Sequence, residues 1–378
     1  MFTFQNIYKA YKQCRKHKTN TINALQFEQN LLENLWDLTH ALQQKTYKID
    51  TSICFLTHSP KLREVFAADF RDRVVHHLVV GELEALYERK FIYDVYNNRK
   101  NKGTHSAVKR AKKYMLSQKE GYYLQLDIKG FFYNLDKHIL FKTLLDDIEP
   151  SRLKDKSNLL WLLHKIIFHD PTKDYVFKGN KKNLDKLPDH KTLFKIPKTK
   201  GLPIGNLTSQ FFANVYMSRF DHFVKRELKI KGYIRYVDDF VLFDPSKKKL
   251  EKCKEEIGLY LKEHLGLRLR EDSRLRKSTQ GLDFLGYIIR PHYILVRKRV
   301  VHNYKAKKAK YLDDYEKQKG NMSLVEIKQF LSVQASFASH CKHVPDRRDK
   351  CPWGANSFNL THKVGRLDET NPFDYSRA

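Results

Sequence analysis

The sequence predicts an α+β fold, and three patterns along it carry that expectation. Tyr122-Tyr-Leu-Gln-Leu-Asp127 has the character of a strand, ends in a turn and gives way to a helix from about Lys137. Residues 232–243 read as a hairpin with acidic residues at its tip. Helical spacing flanks both: Ile22, Leu25, Phe27, Leu31, Leu32 and Leu35 recur among polar positions near the start, and a basic helical run fills 297–311 near the end.

Taken in order, residues 1–50 form an N-terminal helical extension. In 51–120, short strand-like stretches (SICFL, EVFAA) alternate with helices, notably 71–89, where Val74, Val75, Leu78 and Val79 share a face. Residues 121–290 hold both acidic clusters and an insertion at about 145–200. The insertion's Lys-rich part, 178–200, carries Pro188 and Pro197, reads as a loop or hairpin, and receives no chemistry. After Pro291 the composition turns basic and helical through a last region, 291–378, whose tail loses periodicity.

The 378-residue length excludes a peptide hormone or a disulfide knot. Lys and Arg number 72 against 43 Asp and Glu, a net charge of +29, so a polyanionic partner is expected, nucleic acid before an anionic membrane. Cys14, Cys54, Cys253, Cys341 and Cys351 are odd in number, scattered, and without a CxxC pair, which fits a reducing compartment. The N-terminus lacks an uninterrupted apolar run, and the apolar stretch 158–168 is broken by His164 and Lys165. A cytoplasmic protein without a membrane partner is the expectation. His340, Cys341, His343 and Cys351 match no regular zinc-finger spacing.

A carboxylate at the end of one strand, Asp127, facing two at a hairpin tip, Asp238 and Asp239, supplies the hard oxygens that divalent cations require. Three like charges brought together without metal are costly. Apolar residues on both sides of Tyr236-Val-Asp-Asp239 hold the acids at the end of a buried element rather than on a free loop.

These residues resemble the reverse transcriptases. Leu126-Asp-Ile-Lys-Gly-Phe-Phe-Tyr-Asn-Leu135 looks like their first palm motif and Tyr236-Val-Asp-Asp239 like their second, with Gly201-Leu-Pro-Ile-Gly-Asn-Leu-Thr-Ser-Gln-Phe-Phe-Ala-Asn214 between them. Further matches, in order, are Arg63-Glu-Val-Phe, Phe70-Arg-Asp-Arg-Val-Val-His76, Asn98-Arg-Lys-Asn-Lys-Gly-Thr-His105 and Phe284-Leu-Gly-Tyr287. The form Ile204-Gly-Asn-Leu-Thr-Ser-Gln210 is similar to that of diversity-generating retroelements, departing from the general pattern at Ile204 and Gln210.

The resemblance implies a right hand of fingers (51–120), palm (121–290, with the insertion) and thumb (291–378), with an antiparallel palm sheet. It implies RNA-directed DNA polymerase chemistry with two Mg²⁺ ions, Mn²⁺ a substitute, held by Asp127, Asp238, Asp239 and the Ile128 carbonyl. Lys61 and Arg63 match triphosphate-binding cations, Phe132 the steric gate under the sugar, and Ile204, Gly205 and Gln210 the nucleotide pocket. Arg297, Lys298, Arg299, Lys305, Lys307 and Lys308 suit a helix tracking duplex phosphates, and Lys9, Lys12, Arg15, Lys16 and Lys18 with Tyr8 and Tyr11 a second RNA contact or a solvated face. The implied partners are an RNA template, a DNA or RNA primer and dNTPs, with a non-coding RNA, an accessory protein or a second polymerase as further candidates. Two settings stay open: a diversity-generating retroelement, and antiphage defence with a partner RNA. A nucleic-acid-binding scaffold with an idle polymerase site is the reading from another class.

Overall fold

A computed structural model describes residues 1–16, 21–58, 61–342 and 344. The chain divides into two compact units, Met1–Gln280 and Gly281–Ala378.

In the first unit, helix α1 (Phe4–Arg15) begins at Thr3, whose hydroxyl accepts from the Asn6 amide at 3.3 Å, and it buries Ile7, Ala10, Tyr11 and Cys14 along one face. Helices α2 (Ile22–Gln29) and α3 (Leu31–Gln43) complete the N-terminal layer. Strands β1 (Ser52–Thr57) and β2 (Arg63–Ala67) pair antiparallel. Asp69 caps α4 (Phe70–Lys90), accepting from the Arg71 amide at 2.8 Å, and Phe70 of that helix packs on Phe27 of α2 with ring centroids 5.3 Å apart.

Helix α5 (Thr104–Ser117) leads to strand β3 (Tyr122–Asp127), then the single turn α6 (Phe131–Asn134), α7 (Lys137–Ile148) and α8 (Lys156–Phe168). Inside the insertion, β4 (Tyr175–Lys178) pairs parallel with β1, so this segment returns to the β1–β2 sheet. Helix α9 (Leu207–Arg226) buries Phe211, Phe212, Val215, Met217 and Phe220 on several faces, as an internal helix must. Strands β5 (Gly232–Tyr236) and β6 (Asp239–Asp244) form the expected hairpin. Ser246 caps α10 (Lys247–Leu265), which stops at Gly266 in a left-handed conformation, φ +60°. Strand β7 (Arg274–Lys277) completes an antiparallel palm sheet of order β5-β6-β3-β7.

The two-residue period of the strands decides where the acids go. Leu124, Leu126, Phe240 and Leu242 face the core, so Asp127 and its direct partner Asp239 lie on the opposite face.

The second unit opens with β8 (Leu282–Phe284), β9 (Tyr287–Ile289) and β10 (Ile294–Val296), an antiparallel sheet paired only within itself. This unit starts at Gly281, and its three strands pair with one another. Helices α11 (Lys298–Lys317) and α12 (Leu324–Lys342) follow as an antiparallel pair. Stacked rings zip them, Tyr304 on Phe337 at 4.0 Å and Tyr311 on Phe330 at 3.9 Å. Among the described residues no helix is long and apolar enough to cross a membrane.

Candidate active site

Strand β3 delivers Asp127 to the rim of a cavity of about 610 Å³, and the β5–β6 turn delivers Asp238 to the same space. Arg63 comes from β2 and Lys61 from just before it, Phe132 from α6, and Ile204 from the segment before α9. Gly130 makes the turn between β3 and α6 at φ +56°, where an added Cβ would stand 2.9 Å from Asn134 Nδ2.

One carboxyl of the cavity is strongly perturbed. Enclosure raises the Asp238 pKa, the Asp127 carboxylate raises it further, and the outcome is about 6. Two carboxyl groups in one cavity offer hard oxygen donors of the kind divalent cations take. Ile128 lines the cavity beside them. Asp239 does not line it: its carboxylate accepts from Gln125 Nε2 at 3.1 Å, and among the described residues no group of three His, Cys, Asp or Glu is gathered for a metal. The sheet register brings all three acids to one edge, and two of them share the cavity.

Sequence reasoning missed Arg270. Its Nη1 stands 2.9 Å from Asp127 Oδ2 and its amide donates to the Asp127 carbonyl at 2.8 Å, so a guanidinium neutralises the strand-end carboxylate. The contact joins positions 143 apart, and no local pattern announces it. Lys129, His190 and Lys191 also line the cavity, the last two from the insertion that received no chemistry. Buried Glu64 fastens that insertion, accepting from Thr192 Oγ1 and from the Leu193 amide, both at 2.6 Å. Burial of the Glu64 carboxyl raises its pKa.

The remaining expected residues divide. Ile204 reaches the cavity while its carbonyl accepts from the Phe66 amide of β2 at 3.0 Å. Gly205 lies outside the cavity lining; at φ +119° its Cβ would stand 2.7 Å from Val65 Cγ1, so the close approach it permits here is to β2. Gln210 is exposed on α9 and also lies outside the lining. Ser209 sits inside the first turn; the cap position belongs to Asn206, whose side chain accepts from Ala68 instead. Arg71 pairs with Asp50 at 2.9 Å and Arg73 donates to the Ala68 carbonyl at 2.8 Å.

On α11, Lys298, Arg299, Lys305 and Lys307 are exposed and Lys308 is half-buried. Arg297 precedes the helix, and its Nε donates to Asp283 at 2.6 Å. Near the N-terminus, Tyr11 and Arg15 both bond Glu28, which leaves Lys9, Lys12 and Lys16 as the exposed or half-exposed part of that basic stretch. Lys18, His343, Cys351 and the tail beyond 344 lie outside the described residues. His340 stacks on Tyr287 with centroids 5.4 Å apart.

Residues 57–289 match the family described as reverse transcriptase (RNA-dependent DNA polymerase). The chain is 23% identical over 296 residues to the group II intron-encoded protein LtrA of Lactococcus lactis subsp. cremoris, covering 62% of this chain and 45% of that one. It is 24% identical over 287 residues to protein YkfC of Escherichia coli K12, covering 66% and 69%. The chain thus spans about half the length of the first of these relatives. Among solved structures it is similar to an apo telomerase from Candida tropicalis, at TM-score 0.45 and 13% identity over 65% of this chain and 48% of that one.

Proposed function

The chain belongs to the reverse transcriptase (RNA-dependent DNA polymerase) family, and from that premise we propose that it is an RNA-directed DNA polymerase extending a DNA or RNA primer with dNTPs. The observation that carries this reading is the meeting of Asp127 and Asp238 in one cavity with Lys61, Arg63 and Phe132.

Two Mg²⁺ ions, when bound, lower the pKa of the attacking 3′-hydroxyl and neutralise the leaving pyrophosphate. Asp127 and Asp238 would hold them, with Asp239 and the Ile128 carbonyl completing the donors. Lys61 and Arg63 would bind the triphosphate oxygens, for which the forked guanidinium is well shaped. The Phe132 ring, edge-on to Phe131 at 5.4 Å, would pack under the sugar and exclude a 2′-hydroxyl. Ile204 would present an aliphatic wall to the incoming nucleotide.

The setting we propose is a bacterial or phage retroelement of the diversity-generating type, copying a dedicated RNA into cDNA, supported by the form of residues 204–210. Primer extension on an RNA template with Mg²⁺ or Mn²⁺ tests the activity. The wild type is expected to incorporate dNTPs, and Asp238→Ala with Asp239→Ala to fall to background, a loss on the order of a thousandfold or more. Equal incorporation by both proteins would leave a nucleic-acid-binding scaffold as the reading. Sequencing the nucleic acid that copurifies with the protein tests the retroelement setting.

A further inference from the structure

The turn that carries Asp238 has a conformation its own sequence disfavours. Val237 has φ +60°, a left-handed backbone that a β-branched residue adopts only under constraint, and glycine or asparagine is the usual occupant of such a hairpin position. A buried polar chain supplies the constraint. Arg235, fully buried on β5, donates Nε and Nη2 to the two carboxylate oxygens of Asp221 at 2.7 and 2.6 Å. Its Nη1 donates to the Val237 carbonyl at 3.0 Å and to Asn214 Oδ1 at 3.2 Å. Asn214 Nδ2 donates to the Asn97 carbonyl at 2.8 Å, and Asn97 Oδ1 accepts from the Val237 amide at 3.0 Å.

Both polar backbone groups of Val237 are therefore gripped by buried side chains, the carbonyl by Arg235 and the amide by Asn97. Asn97 is itself an anomaly: its Nδ2 is buried with no hydrogen-bond partner among the described residues. An apolar residue of the same shape would avoid that unpartnered donor, so packing does not account for an amide here. What the asparagine supplies is its Oδ1, aimed at the strained peptide. Backbone strain and an orphaned donor thus converge on the residue preceding Asp238, the carboxylate that shares its cavity with Asp127.

We propose that Asn97 and Arg235 are positioning residues that clamp the Val237 peptide, fix the Asp238 carboxylate opposite Asp127, and so set the affinity of the site for divalent cations. The inference deepens the polymerase reading and rests on its cation site. Mg²⁺ binding to the protein free of nucleic acid, measured by calorimetry beside the thermal midpoint of the metal-free protein, tests it. Asn97→Leu is expected to weaken Mg²⁺ binding about tenfold, as loss of a group orienting a metal ligand does, while the metal-free midpoint moves by no more than a few degrees. Adding Val237→Gly is expected to recover at least about threefold of that loss, because glycine holds a left-handed turn without a clamp.

Unchanged Mg²⁺ affinity in Asn97→Leu overturns the proposal, and so does a loss that Val237→Gly fails to recover. A fall of more than about 10 °C in the metal-free midpoint marks a structural role and overturns it too. If Asn97→Leu does not fold, Asn97→Ser, whose hydroxyl stops short of the Val237 amide, is held to the same outcomes. A wild type that binds Mg²⁺ but extends no primer sinks the polymerase reading and leaves the clamp to be judged by metal affinity. A wild type that binds no Mg²⁺ overturns the clamp.

Discussion

Asp72 on α4 is fully buried, accepting from the Tyr47 hydroxyl at 2.5 Å and from the Asp50 amide at 2.9 Å. Burial is the largest influence on its carboxyl and, although both hydrogen bonds oppose it, raises the pKa to about 7. The same group in the unfolded chain titrates near about 4. Between those values the folded protein keeps a proton that the unfolded chain has lost. The group's contribution to stability is therefore full below about pH 4 and disappears as the pH rises through about 7, a span worth at most a few kcal/mol. Urea unfolding of the wild type and Asp72→Asn at pH 5 and pH 7.5 tests this. The stability advantage of the wild type is expected to shrink toward pH 7.5, and a pH-independent difference would falsify the assignment. Nothing in the sequence around Asp72 distinguishes it from Asp69, which caps the same helix; burial three residues on separates the two carboxylates. Arg270 escaped sequence reasoning for the same reason, its partner Asp127 lying on a distant strand.

At the scale of elements, the pieces legible in the sequence are those whose pattern is local. Strand β3, the β5–β6 hairpin, α4 and α11 follow from periodicity and turn residues, and the order of motifs along the chain places the acids. The insertion's Lys-rich part, 178–200, was illegible because its folded form is short turns fastened from outside. Its anchor is Glu64, a β2 residue whose partners in the insertion lie far along the chain, where no local pattern announces them. Glu64→Gln keeps the shape but replaces one of the two accepting oxygens with a donor, facing either the Leu193 amide or the Thr192 hydroxyl. A buried mismatch at the amide costs about 1–3 kcal/mol, whereas the hydroxyl can turn to accept. Since Thr192 follows directly on Lys191, loosening the anchor displaces a cavity wall. The expected outcome for Glu64→Gln is a KM for dNTP raised several-fold with primer–template affinity unchanged. A KM equal to that of the wild type would detach the insertion from the nucleotide.

For the molecule as a whole, the +29 charge is a statement about partners before it is one about fold, since so large an excess of one sign opposes compaction and favours a polyanion. The excess is spread along the chain, yet it concentrates where α11 presents Lys305 and Lys307, with Lys308 half-buried beside them. Each phosphate contact a lysine makes releases condensed counterions, so binding weakens with salt in proportion to the number of contacts. If these three lysines track a template–primer duplex, replacing all three with alanine should reduce the slope of log affinity against log salt by about 2 to 3. Affinity at low salt should fall across all sequences alike, because phosphate contacts carry no base information. The cations of the proposed nucleotide site, Lys61 and Arg63, are different ones, so the KM for dNTP should stay where it was. Fluorescence anisotropy on an RNA–DNA duplex across a salt series gives the slope, and an unchanged slope in the triple variant would remove α11 from the path of the nucleic acid. The N-terminal stretch, with Lys9, Lys12 and Lys16 exposed and Arg15 committed to Glu28, would then be the next candidate, with a solvated face as its alternative.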